Sequence, residues 1–225
     1  MVDEEGTLGA GRSLGAELLE LIAPSVCPGC DLPRRPGAEL LCAACTAGVH
    51  HWRELRGVLT AVAYEDTAAR LIQRFKFERR RDALPLLVEM LAHRLGSLRF
   101  DVIVPVPRHP GRIRSQGCDP VFELARALGR HGKHPLLAAA LQRSRPTPPQ
   151  TGLAPVERRE NVRDSFRAAR GSLRGLRVLL LDDVTTTGAT LREARRALRR
   201  AGPRGVLQAA LAATPDLPIA PALAL

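Results

Sequence analysis

Aromatic side chains are scarce in this sequence, at 3% of residues, with one Trp and one Tyr. Hydrophobic residues still make up 45% of the chain, so we expect a core built mainly from Leu, Val and Ala. The shortage also removes the alternation of basic and aromatic residues that is typical of surfaces on which nucleic-acid bases stack. A base-stacking surface is therefore disfavoured.

Long apolar runs are missing as well. None approaches the length of a membrane-spanning helix, and the acidic N-terminus MVDEEGTLGAGRSLG lacks the apolar segment of a signal peptide. We therefore expect a cytoplasmic protein whose five cysteines form no disulfides. The sequence shows no internal repeat and no serine–histidine–aspartate arrangement, so a nucleophilic side chain is not expected to carry the chemistry.

Acidic residues are outnumbered. The sequence has 34 Lys and Arg and 23 Asp and Glu, which gives a formal net charge of +11. Solvated surface arginine explains most of this excess. The same excess would also suit a polyanionic partner, either a nucleic acid or a phosphate-rich small molecule. Net charge governs solubility and non-specific binding, so it does not identify a site.

Four of the five cysteines form a double C-x2-C pattern within CPGCDLPRRPGAELLCAAC, with eleven residues between the two pairs. Each pair lets two thiolates converge on one point, and two such turns complete a tetrahedral sulfur cage. The spacing predicts a structural Zn²⁺ site, with an iron–sulfur cluster as the alternative. The expected ligands are Cys27, Cys30, Cys42 and Cys45. We expect His50 and His51 on the surface, and Cys118 as a small buried apolar residue.

Hydrophobic periodicity predicts that strands and helices alternate. Strands are expected over 57–66, 100–107, 176–183 and 205–214, with an ambiguous strand over 135–143. Helices are expected over 12–23, 67–80, 84–95, 120–130 and 188–202. This order predicts an α/β domain with a mostly parallel, doubly wound sheet over 53–214. A small zinc-binding module over 1–52 would precede it, and a fraying tail over 215–225 would follow.

The segment VLLLDDVTTTGATL, residues 178–191, places two carboxylates and a hydroxyl-rich turn at the end of the most apolar strand. A turn that opens a helix supplies backbone N–H groups, threonine hydroxyls and the positive end of the helix dipole, which suit one phosphate dianion. Asp182 and Asp183 can accept hydrogen bonds from vicinal hydroxyls and favour a divalent cation. A well-capped helix would explain one threonine but not the acidic pair. The motif therefore predicts a sugar-phosphate site.

This segment resembles the phosphoribosyl-pyrophosphate (PRPP) signature of the type I phosphoribosyltransferases. The resemblance implies that Asp182 and Asp183 hold the 2′- and 3′-hydroxyls of ribose, and that Mg²⁺ bridges the ribose and the diphosphate. It also implies that the loop over 184–190 binds the 5-phosphate. The residues of that loop are Val184, Thr185, Thr186, Thr187, Gly188, Ala189 and Thr190.

Two further segments resemble parts of the same family's site. VPVPRHP, at the end of the strand over 100–107, corresponds to the diphosphate loop. Its expected binding residues are Pro105, Val106 and Pro107. The proline-rich segment 144–165, which lacks periodicity, takes the place of the flexible loop whose basic residues close over the diphosphate. Arg108, Arg158 and Arg159 are the candidates for this role, although each alone could equally be a solvated surface cation.

A narrower set of motifs covers nearly the whole chain. The four cysteines are followed by Y-x5–6-R-x-I-x-x-x-K-F at 64–77, then by P-V-P-x-H-P, P-x-Q-T/S-G-L, E-R-R-x-N-V and the DDV-x-TTGAT loop. In this order the set resembles the ComF family, cytoplasmic phosphoribosyltransferase-like proteins associated in some bacteria with DNA uptake. One segment departs from the pattern, because relatives usually read R-G-F-N-Q where this chain reads QGCDP at 116–120.

The resemblance implies an Mg²⁺-dependent phosphoribosyltransferase that acts by positioning and charge stabilisation as diphosphate leaves C1 of PRPP. No motif identifies the acceptor, and the departure at 116–120 falls where we expect the acceptor to be selected. A second hypothesis is a protein of this fold with weak turnover that handles single-stranded DNA or senses a ligand. A third is an adaptor whose zinc module docks a DNA-uptake protein. The sequence leaves the oligomeric state open.

Overall fold

The computed structural model describes residues 25–34, 38–52, 54–108, 111, 113, 117–143 and 164–214. Within these residues the chain forms a five-stranded sheet flanked by helices and a separate two-stranded sheet. The helix expected over 12–23, Arg158, Arg159, most of 144–165 and the tail over 215–225 lie outside them. No helix in the described ranges is long and apolar enough to span a membrane.

Helices and strands alternate along the described chain. The helices are α1 (Ala43–Ala47), α2 (Asp66–Phe77), α3 (Leu84–Leu95), α4 (Pro120–Gly132) and α5 (Ala189–Leu198). The strands are β1 (Glu54–Leu55), β2 (Val58–Ala63), β3 (Val102–Pro105), β4 (Leu141–Arg143), β5 (Phe166–Ala168), β6 (Arg177–Thr185) and β7 (Gly205–Ala213). Single 3-10 turns lie at Arg81–Ala83, Ala138–Ala140 and Arg199–Ala201.

The larger sheet has the strand order β1-β2-β7-β6-β3. The pairs β2–β7, β7–β6 and β6–β3 are parallel, whereas the two-residue edge strand β1 pairs antiparallel with β2. The separate sheet is the antiparallel pair β4–β5. The predicted mostly parallel α/β sheet is confirmed. Because β3, β6 and β7 are parallel neighbours, their carboxyl ends meet at one edge of the sheet.

Two hydrophobic clusters cover the two faces of this sheet. Leu179 and Leu181 of β6 belong to the cluster that contains residues of α2, α3 and α4. Val178 and Leu180 belong to the cluster that contains residues of α5. The alternation follows from the two-residue period of a strand, and burial on both faces explains why residues 178–181 of β6 are all apolar. As the composition predicts, Leu, Val and Ala dominate both clusters.

The predicted long elements are confirmed, with shifts at their ends. α3 spans the predicted residues, whereas α2 ends at Phe77, before the predicted end at residue 80. Arg79 has a φ of 55°, a left-handed conformation that no helix continues through. β6 continues to Thr185, beyond the predicted end at residue 183, so the acidic pair lies within the strand and not at its last two positions. α5 ends at Leu198 and the chain continues as a 3-10 turn to residue 201.

Candidate functional site

Four cysteines lie together next to the start of α1. Their sulfur atoms all lie within 4.8 Å of one another, and Cys30 Sγ is 3.6 Å from Cys42 Sγ. Cys27 and Cys45 are buried and the other two are half-buried. A tetrahedral site with Zn–S bonds of about 2.3 Å separates its sulfurs by about 3.8 Å, so the cluster fits a four-thiolate centre. The predicted ligand set is thus brought together and could hold a metal ion such as zinc.

The thiols of this cluster differ in acidity. Burial tends to raise the pKa of Cys27, but hydrogen bonds from neighbouring groups, first the backbone N–H of Cys42, lower this pKa to about 6. Burial and the neighbouring sulfurs raise the pKa of Cys45 to about 12. Because adjacent thiolates repel one another, holding all four ionised requires a bound cation.

The other sulfur and imidazole groups lie apart from this cluster. His50 and His51 are exposed, as predicted, and His50 Nε2 lies 3.3 Å from an oxygen of Asp66. Cys118 is half-buried, so the prediction of a buried apolar residue is wrong. It lies in the turn that leads into α4, between the exposed Gly117 and the half-buried Asp119, where the chain is not fully covered.

The first cysteine turn is bound to α2 by two arginines. Arg70 Nε donates a hydrogen bond to the carbonyl oxygen of Gly29 at 3.2 Å, and Arg74 Nη1 donates to that of Pro28 at 2.9 Å. Arg74 also forms an ion pair with Asp31 at 2.7 Å. These contacts fix the cysteine cluster against the helix.

The two carboxylates of β6 have different contacts. Asp183 Oδ2 lies 2.7 Å from Lys76 Nζ and 3.4 Å from Arg108 Nη2. Asp183 Oδ1 accepts a hydrogen bond from the backbone N–H of Val184 at 2.6 Å. Asp182 is half-buried, and its Oδ1 accepts from the backbone N–H of Asp183 at 2.9 Å.

These surroundings separate the acidities of the pair. Burial, and next the negative charge of Asp183, raise the pKa of Asp182 to about 7. Burial acts on Asp183 in the same direction, but Lys76 and Arg108 outweigh it and hold the pKa of Asp183 below its ordinary value of 3.8. Near neutral pH, Asp183 is therefore ionised, while Asp182 exchanges between its neutral and ionised forms.

The turn after β6 is shorter than the predicted loop over 184–190. Val184 and Thr185 pair with β7 as strand residues, whereas Ala189 and Thr190 already belong to α5. The remaining turn, 186–188, ends in a glycine that caps α5 with a φ of 71°, a left-handed conformation that favours glycine. The backbone N–H groups at the start of α5 thus lie directly after the carboxylates of β6.

The threonines of this turn differ in exposure. Thr185 and Thr187 are 4% and 2% exposed, whereas Thr186 and Thr190 are half-buried. Thr187 Oγ1 accepts a hydrogen bond from the backbone N–H of Ala189 at 3.4 Å, so this threonine helps to cap the helix. The helix-capping interpretation therefore accounts for one threonine.

The predicted diphosphate loop lies beside the end of β6. Pro105 is the last residue of β3, and the backbone N–H of Val106 donates to the carbonyl oxygen of Leu181 at 2.8 Å. Pro105 and Pro107 have no N–H to donate. These three residues therefore shape the segment without offering an unpaired backbone donor to an anion. The cation that follows them, Arg108, is the group that reaches the acidic pair.

The start of α4 lies near the same carboxylate. Asp119 is the N-cap of α4, and its Oδ1 accepts hydrogen bonds from two backbone N–H groups of the first turn at 3.0 and 3.2 Å. Burial raises the pKa of Asp119, and the charges of Arg108 and Asp183 also act on it. Pro120 occupies the first helical position, which its fixed φ suits. In the departing segment 116–120, Asp-Pro therefore serves as a helix start.

Sequence reasoning gave two members of this group no role at the carboxylates, although Lys76 lies in the Y-x5–6-R-x-I-x-x-x-K-F motif and Asp119 in the departing segment 116–120. Lys76 and Asp119 lie far from the acidic pair along the chain, and the fold brings them to it. A compositional signal existed for Lys76, because it is one of two lysines among 34 basic residues. Arg158 and Arg159 lie outside the described residues, so their expected role stays a prediction.

Comparison with known proteins decides the family. DNA utilization protein YhgH of Escherichia coli K12 is 31% identical over 189 residues, which cover 81% of each chain. Competence protein F of Haemophilus influenzae is 33% identical over 148 residues. The chain belongs to the competence protein F family. Its match with the Haemophilus member covers 62% of this chain and 65% of that protein, slightly less than two thirds.

A domain model and solved structures also match this chain. A family model described as phosphoribosyl transferase domain matches residues 113–221. Among solved structures, the glutamine PRPP amidotransferase of Bacillus subtilis aligns with a TM-score of 0.41 and 24% identity, over 60% of this chain and 29% of that one. The predicted family and type I phosphoribosyltransferase fold are confirmed. Lys76 and Arg108 both precede the matched segment.

Proposed function

We propose that this competence protein F relative binds PRPP with Mg²⁺ and transfers ribose 5-phosphate to an acceptor, with release of diphosphate. The observation that carries the proposal is the convergence of the Asp182–Asp183 pair, the turn 186–188 and the start of α5 at the carboxyl end of β6. Ligands of open α/β sheets bind at this edge. The phosphoribosyl transferase domain match over 113–221 supports the same assignment.

Each part of the sugar phosphate has a group that suits it. The carboxylates of Asp182 and Asp183 would accept hydrogen bonds from the ribose hydroxyls. The backbone N–H groups of the turn 186–188, the hydroxyls of Thr186 and Thr190, and the dipole of α5 would bind the 5-phosphate. Mg²⁺, when bound, would be held by the carboxylates of Asp182 and Asp183 and would neutralise part of the charge of the leaving diphosphate.

The chain would act by charge placement and not by covalent attack. As the bond between C1 and the diphosphate oxygen breaks, positive charge grows on the ribose and negative charge on the leaving group. The ionised Asp183 lies on the ribose side of this separation. Arg108, with Arg158 and Arg159 as further candidates, would stabilise the diphosphate. Asp119 lies close to Arg108, and we expect the acceptor to be chosen at the departing segment that contains it.

We propose Zn²⁺ as the ion of the four-cysteine cluster, and a structural role for it. Four cysteine thiolates complete a tetrahedral zinc site and leave no position for substrate. An iron–sulfur cluster uses the same ligand set and is the alternative. Elemental analysis and the visible spectrum of the purified protein distinguish the two, since zinc with cysteine ligands is colourless.

The PRPP proposal is tested by calorimetric titration of PRPP with Mg²⁺. We expect binding to the wild-type protein and loss of at least tenfold in affinity for Asp182→Asn and Asp183→Asn. Asp101→Asn is the matched control, because Asp101 pairs with Arg177 at the opposite end of β6. Absence of binding to the wild type, or equal binding by all four proteins, would contradict the proposal.

A second candidate function is the handling of single-stranded DNA by a protein with weak turnover. The names of the relatives, DNA utilization protein and competence protein, and the net charge of +11 support it. Binding of a labelled single-stranded oligonucleotide should then weaken steeply as salt rises, because neutralised phosphates release counterions. Salt-independent binding, or none at low salt, would exclude this candidate.

A further inference from the structure

Lys76 reaches the acidic pair from the last turn of α2. Its Nζ lies 2.7 Å from Asp183 Oδ2, and the two side chains are 11% and 12% exposed. A buried ion pair with this geometry is a strong constraint, because removing one partner leaves the other charge without compensation in a poorly solvated place. The pair therefore fixes both the position and the charge of the Asp183 carboxylate.

The choice of lysine at this position is informative. The chain has two lysines, Lys76 and Lys133, although Lys and Arg together number 34. Lys133 is exposed at the end of α4, whereas Lys76 is half-buried, with its side chain 11% exposed beside a carboxylate. An ammonium is a compact charge that can meet one oxygen in a small space, which the wider planar guanidinium of arginine does less well. A sequence that otherwise uses arginine thus has lysine where a small cation is needed.

The remaining acceptor capacity of Asp183 agrees with binding to a sugar. A carboxylate has about four positions for hydrogen-bond donors on its two oxygens. Lys76, Arg108 and the backbone N–H of Val184 occupy three of them. One position remains, which suits a single hydroxyl. The neighbouring Asp182 would take the second hydroxyl of a vicinal pair.

The helix that carries Lys76 is held at a second place. Arg70 and Arg74 of α2 donate hydrogen bonds to the carbonyl oxygens of Gly29 and Pro28 in the first cysteine turn. The backbone of α2 is therefore fixed between the cysteine cluster and β6, so Lys76 approaches Asp183 from a rigid support.

We propose that Lys76 is a positioning residue of the PRPP site, which holds the Asp183 carboxylate in the orientation that binds a ribose hydroxyl. This inference rests on the proposed function. It extends the site to α2, which precedes the segment matched by the phosphoribosyl transferase domain. Lys76 acts through Asp183 and on the ribose part of the ligand, not on the diphosphate.

The first test compares PRPP with ribose 5-phosphate, which keeps the ribose hydroxyls and the 5-phosphate but lacks the diphosphate. Calorimetry on wild type, Lys76→Met and Lys76→Gln should show both ligands weakened by the same factor, on the order of tenfold. Lys133→Met, the same change at the other lysine, should bind like wild type. A loss confined to PRPP would overturn the inference, because Lys76 would then contact the diphosphate.

The second test is a double-mutant cycle. If Lys76 acts through Asp183, the double variant Lys76→Met/Asp183→Asn should bind PRPP no more weakly than Asp183→Asn alone. Lys76→Arg keeps the charge and should recover part of the binding that Lys76→Gln loses. Additive losses, or no difference between Arg and Gln, would overturn the inference.

These experiments distinguish failure of the proposed PRPP binding from failure of the proposed role of Lys76. Failure of the wild-type protein to bind PRPP and ribose 5-phosphate would end the proposed function itself. Wild-type binding that Lys76→Met and Lys76→Gln leave unchanged would end only the role of Lys76. Thermal melts establish that each variant is folded, and Lys76→Gln, which is slightly shorter than lysine but keeps a hydrogen-bond donor, serves if Lys76→Met does not fold.

Discussion

Asp182 and Asp183 are neighbours in the chain, yet their surroundings give them opposite electrostatic behaviour. Asp183 faces two cations, whereas Asp182 is half-buried next to a negative charge. Lys76 and Arg108 produce this difference, because both of them contact Asp183 Oδ2. Asp183 is thus ionised near neutral pH, whereas Asp182 can gain or lose its proton there.

The raised pKa of Asp182 predicts a pH-dependent gain in stability for Asp182→Asn. Folding raises the pKa of this carboxyl from 3.8 to about 7, so its contribution to stability is complete below the unfolded pKa and is lost as pH rises toward 7. Asparagine carries no charge at either pH. In urea unfolding, we therefore expect the advantage of the variant to grow by about 1–2 kcal/mol between pH 5 and pH 8.

Asp183→Asn is the matched control for that measurement. It leaves Lys76 and Arg108 facing a neutral amide, so it should destabilise the protein at pH 8. A stability difference between wild type and Asp182→Asn that is constant with pH would contradict the prediction.

At the scale of elements, the turn between β6 and α5 depends on a backbone conformation that glycine adopts without strain. Gly188 has a φ of 71° and caps α5, and a Cβ there would lie 2.8 Å from Arg192 Nη1. Thr187, one residue earlier, caps the same helix through its hydroxyl. Backbone and side chain thus define the start of α5 together.

Gly188→Ala should therefore destabilise the protein, by about 1–2 kcal/mol, because a Cβ is disfavoured at this φ. Gly205→Ala is the control, since a Cβ at Gly205 would meet no atom within 4 Å. Urea unfolding of both variants tests the prediction. Equal stability of the two variants would mean that the turn tolerates a side chain.

Periodicity predicted the long elements and not the short ones. α3 was predictable to its ends because its apolar residues recur at helical spacing, while β1, α1 and β5 have two to five residues and carry no measurable period. The last two residues of β6, Val184 and Thr185, were predicted as part of the hydroxyl-rich loop over 184–190. Asp183 tolerates a strand because Lys76, distant in sequence, neutralises it.

The candidate site was predictable where its residues are contiguous. The motif over 178–191 locates both carboxylates and the turn, because local chemistry and the end of an apolar strand coincide there. Lys76 and Asp119 depend on tertiary packing, since each lies on a different helix that the sheet brings to the same edge. No local sequence pattern predicts that these two residues lie near the carboxylates of β6.

At the scale of the whole molecule, α2 connects the cysteine cluster to the sheet. Arg70 and Arg74 hold the first cysteine turn, and Leu71, Ile72 and Phe75 of the same helix lie in the core cluster that covers β6. Buried Cys27 and Cys45 belong to that cluster too. Cys27 and Cys45 are therefore part of the main core and do not form a separate one.

Removal of the bound metal should accordingly lower the melting temperature of the whole chain in one cooperative transition. Calorimetry on the protein as purified and after chelation measures this, and metal content is determined on the same samples. Cys42→Ser should behave like the chelated protein. Cys118→Ser, outside the cluster, should keep both metal and stability. Two separate transitions would contradict the prediction.

The strand order has a consequence for how the chain can be divided. β6 and β7 lie inside the segment 113–221 that matches the phosphoribosyl transferase domain, but their outer neighbours β3 and β2 precede residue 113. A fragment cut at that boundary would expose two long, apolar strand edges, which pair readily with other chains and aggregate. The segment that the phosphoribosyl transferase domain model matches is thus smaller than the part of the chain that must be expressed together.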